Sequence, residues 1–376
     1  MLLKYMYSSY RRATWLALQY LWPFVVTVSR KKNTPTTSQV IHPSHNAFKH
    51  AAVLVSSTNP KNRPAVKGED LTKLTTQWIT YSLGIKDFTE IVLEDLLKSP
   101  NRYDLLVITY DWMLHRSQSN CAISSWRYGA AIRHWANKNS ICIWIMLPDT
   151  FFPRTNLFAI TILSASSGSS ILLQNTIDDA LKIGLPKPSA PHFWTWPKPR
   201  VNSWANVDPF EHRKKAIALP ATGQTDIRRT ITEALRKKFE QLGYTVIGTD
   251  YGLTNEQYVK AIRNVRFIFT TCTTQDWYKK GARCYVDKIS PFTLTGRVFE
   301  AFACGAVLLT NDNHILRALG FEPGYHFIDL NIDNYQSFDL TDYTNLQLEQ
   351  IASNGASRFI DLTNAPPTAD RASPPQ

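Results

Sequence analysis

The chain carries no acidic residue before Glu69. Residues 1–68 hold ten Lys and Arg with nothing to balance them, which leaves 32 of the 42 basic residues against all 30 acidic ones in the remainder. The net charge of +12 therefore belongs to a leader, and the body is close to neutral. A body without a basic excess argues against nucleic acid as a partner of the folded part.

Glycine is scarce, with 15 in 376 residues, while 44% of the chain is hydrophobic and 12% aromatic. A largely disordered protein is excluded by that balance, and sizeable cores are expected. The five cysteines, Cys121, Cys142, Cys272, Cys284 and Cys304, form no Cys-x-x-Cys pair and no Cys/His cluster of zinc spacing. Their odd number argues against a disulfide framework. Cys142 and Cys304 fall in apolar runs and are expected to be small core residues. There is no Asn-x-Ser/Thr acceptor, no internal repeat and no Asp-x-Asp motif at a strand end.

An uninterrupted spanning segment is also missing. The best candidate, ATWLALQYLWPFVVTV at 13–28, is broken by Gln19 and Pro23 and is shorter than the roughly 20 residues a membrane-crossing helix needs. Lys4, Arg11 and Arg12 precede it and Arg30, Lys31 and Lys32 follow, so the positive-inside rule gives no orientation. A signal anchor, an interfacial segment, an organelle transit peptide and a packed N-terminal helix all fit. Localisation stays open between cytoplasm, membrane surface and organelle.

What is present from residue 50 onward is alternation. HAAVLVSST (50–58), YDLLVITYD (103–111), ICIWIMLPD (141–149) and SSILLQN (169–175) read as buried strands, with a helix at 124–139 between the second and third. Continuous apolar strands alternating with helices predict a parallel sheet covered on both faces. The pattern stops at 184–212, where prolines and aromatics crowd together as in a linker. It resumes with a strand at 215–219, a long helix, a second strand, a helix capped by Thr254 or Asn255, and a third strand. The fold class expected is α/β, with two Rossmann-like lobes of parallel sheets and a cleft between them. The division expected is a leader at 1–49, a first lobe at 50–183, a linker at 184–212, a second lobe at 213–362 and a disordered tail at 363–376.

Ligands of open α/β sheets bind beyond the carboxyl ends of the strands, where helix N-termini can meet phosphate. The turn ATGQTDIRR lies at such a point. Gly223 would allow close backbone approach there, and Thr222, Thr225, Arg228 or Arg229 could meet a diphosphate. A capped turn with solvated arginines is an equally good account of the same residues. GRVFEAFACGAVLLTND, residues 296–312, is more informative. With Gly296 opening a helix and Gly305 closing it, Arg297 and Glu300 project from one face near the N-terminus. A carboxylate accepts two hydroxyl hydrogens at once, which suits the vicinal diol of a ribose or sugar; a guanidinium beside it suits phosphate. A solvated ion pair remains the alternative for this pair taken alone.

Those residues, followed by LGFEPGYHFIDL, resemble the C-terminal donor-binding lobe of GT-B glycosyltransferases, and most of all the spore-maturation CgeB-like branch. The resemblance covers about 213–330 and is one of pattern only over 50–183. It implies transfer of a sugar from a nucleotide-sugar donor to an acceptor hydroxyl, without a bound metal or other cofactor. The acceptor, whether glycan, protein or small molecule, is not named by it. Glu300 would bind the donor ribose, Arg297 its phosphates or sugar, and residues 222–225 would approach the diphosphate; Tyr258 falls on a helix the family shares. An inverting reaction would draw its general base from the first lobe, where Asp111, His115 and Asp149 are candidates and are also ordinary cap or turn residues. One departure concerns Phe292, which stands where many retaining members carry a second glutamate, eight positions before Glu300. The region after residue 331 is also short, with no clear C-terminal helix. A nucleotide-sugar-binding or structural protein without transfer activity is the rival reading.

Overall fold

The computed structural model describes residues 48–59, 61, 65, 66, 69, 70, 72, 73, 76, 77, 80, 85–99, 102–109, 112, 122–147, 168–172, 192, 193, 196, 198–206, 208–220, 226–249, 254–272 and 294–364. The chain divides into two compact units, with the main boundary between 194 and 195. Each is an α/β unit built on a parallel sheet.

In the first unit the strands are β1 (His50–Leu54), β2 (Asp87–Ile91), β3 (Leu105–Ile108), β4 (Cys142–Leu147), β5 (Gly168–Leu172) and β6 (His192–Phe193), in the order β2-β1-β3-β4-β5-β6. Every neighbouring pair is parallel. The apolar runs read from sequence form the central strands, and Ala51–Leu54, Leu105–Ile108 and Trp144 are fully buried. Between β3 and β4 the helix α1 (Ala122–Asn139) turns Ile132, Trp135 and Ala136 inward. β2 was not expected. Its sequence, DFTEI, exposes Asp87 and Thr89 as an edge strand can, so it lacks the continuous apolar run by which the others are recognised.

The second unit contains α2 (Lys198–Trp204), β7 (Lys214–Pro220), α3 (Asp226–Gln241), β8 (Thr245–Thr249), α4 (Asn255–Ile262), β9 (Val265–Phe269), α5 (Gly296–Cys304), β10 (Val307–Thr310), α6 (His314–Ala318), β11 (Ile328–Asp329) and α7 (Asn345–Asn364). Its sheet runs β8-β7-β9-β10-β11, again parallel throughout. β7 lies between β8 and β9, so the chain leaves it first to one side and then to the other. That reversal is the topological switch point, at whose carboxyl side α/β sheets place their ligands.

The expected linker differs from what forms. Its second half belongs to the second unit, with α2 folded from Lys198 and with Trp196, Val201, Trp204 and Phe210 buried. Proline in the first turn of a helix removes only an N–H that would have no partner anyway, so Pro199 is compatible with α2. Trp196 packs on Trp204, Phe299 and Phe359, with ring centroids 5.2, 6.3 and 6.2 Å away. Each such buried aromatic contributes on the order of 1.5–3 kcal/mol by area removed from water.

The C-terminal helix is likewise present where none was expected. α7 buries Leu348, Ile351, Ala352, Gly355, Phe359 and Leu362, a 3.6-residue stripe. Its start is held by Thr344, whose Oγ1 accepts from the Gln347 N–H while Gln347 Oε1 accepts from the Thr344 N–H. Among the described residues no helix is long and apolar enough to cross a membrane; residues 13–28 lie outside them.

Candidate functional site

The carboxyl edge of the second sheet is unusually polar for a buried place. Thr270, Thr271, Thr310, Asn311 and Asn313 are all buried there, at the ends of β9 and β10. Buried polar groups destabilise a fold unless they are hydrogen-bonded, and these are tied to one another. The Cys272 N–H donates to Asn311 Oδ1 at 2.7 Å, and Asn313 Nδ2 donates to the Asn311 carbonyl at 3.0 Å. Asn313 Oδ1 in turn accepts from the N–H groups of Ile315 and Leu316, capping α6. Sequence reasoning passed over these residues. The signal was a pair of small polar clusters, TTCTT and TNDN, directly after apolar strands.

Arg228, in the first turn of α3, points to the same edge. It is 8% exposed, and its Nε donates to Thr271 Oγ1 at 2.9 Å while Nη2 donates to the Thr271 carbonyl at 3.0 Å. The guanidinium fork thus joins the start of α3 to the end of β9. Thr222, Gly223 and Thr225, expected just before it, lie outside the described residues, as do Asp111, His115 and Asp149.

α5 begins and ends at the two glycines that the sequence marked. Gly296 is its first residue, and Gly305 closes it in the left-handed conformation at φ 63°. Thr295, at the N-cap position, caps nothing with its side chain; its Oγ1 shares a hydrogen bond of 2.9 Å with Thr270 Oγ1 instead. The start of α5 is thereby fastened beside the end of β9. Arg297 is half-buried one residue into the helix.

Glu300 lies on the next turn and is 6% exposed. Its Oε2 accepts from the Tyr258 hydroxyl at 2.5 Å, and Arg297 is close enough to act electrostatically on the same phenol. Tyr258 comes from α4, whose N-terminus is fixed by the Thr254 and Gln257 capping box. Burial, reinforced by the Glu300 charge, raises the phenol pKa above its ordinary value. Of the sequence-derived set, the structure therefore brings Gly296, Arg297, Glu300 and Tyr258 together across α4 and α5, with Arg228 anchored on β9. Among the described residues no three His, Cys, Asp or Glu side chains gather as a metal site.

A cavity of about 460 Å³ in the second unit is lined by Lys198, Asn202, Arg213, Gly305, Glu349 and Ile360, among others. It lies at the opposite end of the sheet, since Arg213 precedes β7 and Gly305 precedes β10. The Arg213 guanidinium is occupied there by the Cys304, Gly305 and Asp208 carbonyls. Chemistry is better sought at the carboxyl edge.

Residues 226–359 match a family model described as glycosyl transferase-like. The match starts with α3 and ends within α7, so it takes in Arg228, Tyr258, Gly296, Arg297 and Glu300. Among solved structures the chain is similar to Anabaena HepE in complex with UDP and glucose, at 9% identity and a TM-score of 0.49, covering 83% of this chain and 95% of that one. It is also similar to sucrose-phosphate synthase from Thermosynechococcus elongatus, at 12% identity and a TM-score of 0.48, covering 84% of this chain and 95% of that one. A search among curated proteins finds no match.

Proposed function

We propose that the protein is a glycosyltransferase that moves a sugar, of hexosyl type, from a nucleotide-sugar donor to an acceptor hydroxyl without a bound metal. The observation that carries this reading is the glycosyl transferase-like match over 226–359, which spans the polar carboxyl edge at a sheet switch point. Glu300 receives the ribose hydroxyls of the donor, and Arg297 its phosphates or sugar. The N-terminus of α5 at Gly296 offers backbone N–H groups and the positive end of a helix dipole. Thr222, Gly223 and Thr225 are the proposed contacts to the diphosphate, and Arg228, held on Thr271, braces the carboxyl edge. Departure of the nucleoside diphosphate is then stabilised by preorganised donors, the Arg297 guanidinium among them, rather than by a metal ion. The Arg-x-x-Glu-Ala segment supports a place beside the CgeB-like branch.

Asp111, His115 and Asp149 are the proposed sources of a general base for an inverting reaction. The second reading, a nucleotide-sugar-binding protein without transfer activity, is favoured by Phe292 at the place of a second glutamate. Hydrolysis and transfer assays with radiolabelled UDP-, GDP- and ADP-sugars, with and without EDTA, separate these readings. Turnover of one donor, unchanged by EDTA, is expected. Binding without turnover favours the second reading, and turnover abolished by EDTA contradicts the metal-free route.

A further inference from the structure

Tyr258 and Glu300 are 42 positions apart and meet inside the second unit, where the phenol donates to Glu300 Oε2 at 2.5 Å. Tyr258 is 1% exposed, too buried to be a ligand contact in its own right. Its ring is seated edge-on against Trp204, with centroids 5.9 Å apart, and its helix starts one turn earlier in a capping box. An ionised carboxylate is an acceptor with about four lone-pair sites. A rigid donor that occupies one of them fixes the plane of the others.

We infer that Tyr258 is a positioning residue for donor recognition, its hydroxyl holding the Glu300 carboxylate in the orientation that meets the vicinal diol of the nucleotide ribose. The inference rests on the reading of Glu300 as the ribose-binding carboxylate. Its consequence is specific. Tyr258→Phe keeps the ring and its seat on Trp204 and deletes only the hydroxyl, so the loss concerns the ribose hydroxyls and no other part of the ligand. A tyrosine that merely filled space would show no such selectivity.

The test is equilibrium binding of UDP, GDP and ADP, and of their 2′,3′-dideoxy counterparts, to the full chain and to Tyr258→Phe, Glu300→Gln and the double variant. Wild type is expected to prefer its tightest ribonucleotide over the dideoxy form by about tenfold or more, as hydrogen bonds to a charged group imply. Tyr258→Phe is expected to bring that ratio towards one by weakening the ribonucleotide alone, and to change nothing further in the Glu300→Gln background. A loss shared equally by both ligands, or an unchanged ratio, overturns the positioning role, while a collapsed ratio in Glu300→Gln keeps the reading of Glu300. A wild type that binds no nucleotide, or ignores the ribose hydroxyls, overturns both. If thermal melting shows Tyr258→Phe unfolded, Trp204→Phe loosens the ring's seat and keeps the hydroxyl; a lowered ratio there supports the role and an unchanged one overturns it.

Discussion

Gly355, in the middle of α7, lies directly against Phe302 of α5. A Cβ built at residue 355 would stand 2.8 Å from two carbons of the Phe302 ring and 2.7 Å from the His326 carbonyl oxygen. Alanine favours a helix over glycine by about 1 kcal/mol, but here it has no room. Overpacking of this kind costs about 1–3 kcal/mol, so steric conflict outweighs propensity. Gly355→Ala is expected to lower the urea midpoint of unfolding. A raised midpoint would show that α7 does not approach α5 this closely.

Arg213 closes the other end of α5. Its Nη1 donates to the Cys304 carbonyl at 3.0 Å and to the Gly305 carbonyl, and its Nε to the Asp208 carbonyl at 3.1 Å. A cation at a helix C-terminus also meets the negative end of the dipole. Arg213→Met is expected to cost about 1.5–3 kcal/mol, the range for hydrogen bonds to charged groups. Nucleotide affinity, measured at the opposite end of the sheet, is expected to stay within about twofold, a change in binding of under about 0.5 kcal/mol. Equal stability to wild type in denaturant would contradict the capping role.

Three cysteines should be chemically silent in the native protein. Burial pushes the Cys142 thiol up to about 11 and raises those of Cys272 and Cys304 as well. The thiolate is the reactive form, so burial suppresses both access and ionisation. Iodoacetamide at pH 8 followed by peptide mass spectrometry is expected to leave all three unlabelled until denaturant is added. Rapid native labelling of any one of them would contradict its burial.

His326 carries a pH dependence of stability. Its Nδ1 accepts from the Glu322 N–H at 2.9 Å, and burial lowers its pKa below the usual value despite the nearby Glu322 charge. A depressed folded pKa means that the unfolded chain binds the proton first as pH falls. The contribution is complete above about pH 6.5, the unfolded value, and is lost as pH falls through the lower folded value. His326→Gln should therefore show a shallower loss of melting temperature between pH 7 and pH 5 than wild type. A steeper loss in the variant would reverse the sign.

The sequence announced the elements whose patterns are local. α5 was legible to the residue because two glycines bracket it, and the buried strands because their apolar runs are continuous. α7 has a clear stripe and a Thr344–Gln347 box, yet Gly355 and its asparagines disguise it as a loop. The proline-rich approach to α2 reads as a linker until Trp196 and Trp204 find partners far along the chain. That Glu300 and Arg297 share one face near the start of α5 could be read from spacing, while the role proposed for them comes from the family resemblance. What could not be read was that Tyr258 would engage Glu300, since that contact depends on how α4 packs against α5 across 42 positions of sequence. Arg228 shows the same limit: its sequence position suggests phosphate, and its fork is found on Thr271.

The central claim is that the second unit holds a nucleotide-sugar donor through Glu300. Calorimetric titration of the full chain and of Glu300→Ala with UDP-, GDP- and ADP-glucose tests it most directly, with thermal melting to confirm that both proteins are folded. The account predicts saturable binding of at least one donor by wild type and a loss of about tenfold or more in the folded variant. No binding by wild type, or equal binding by both, would contradict it.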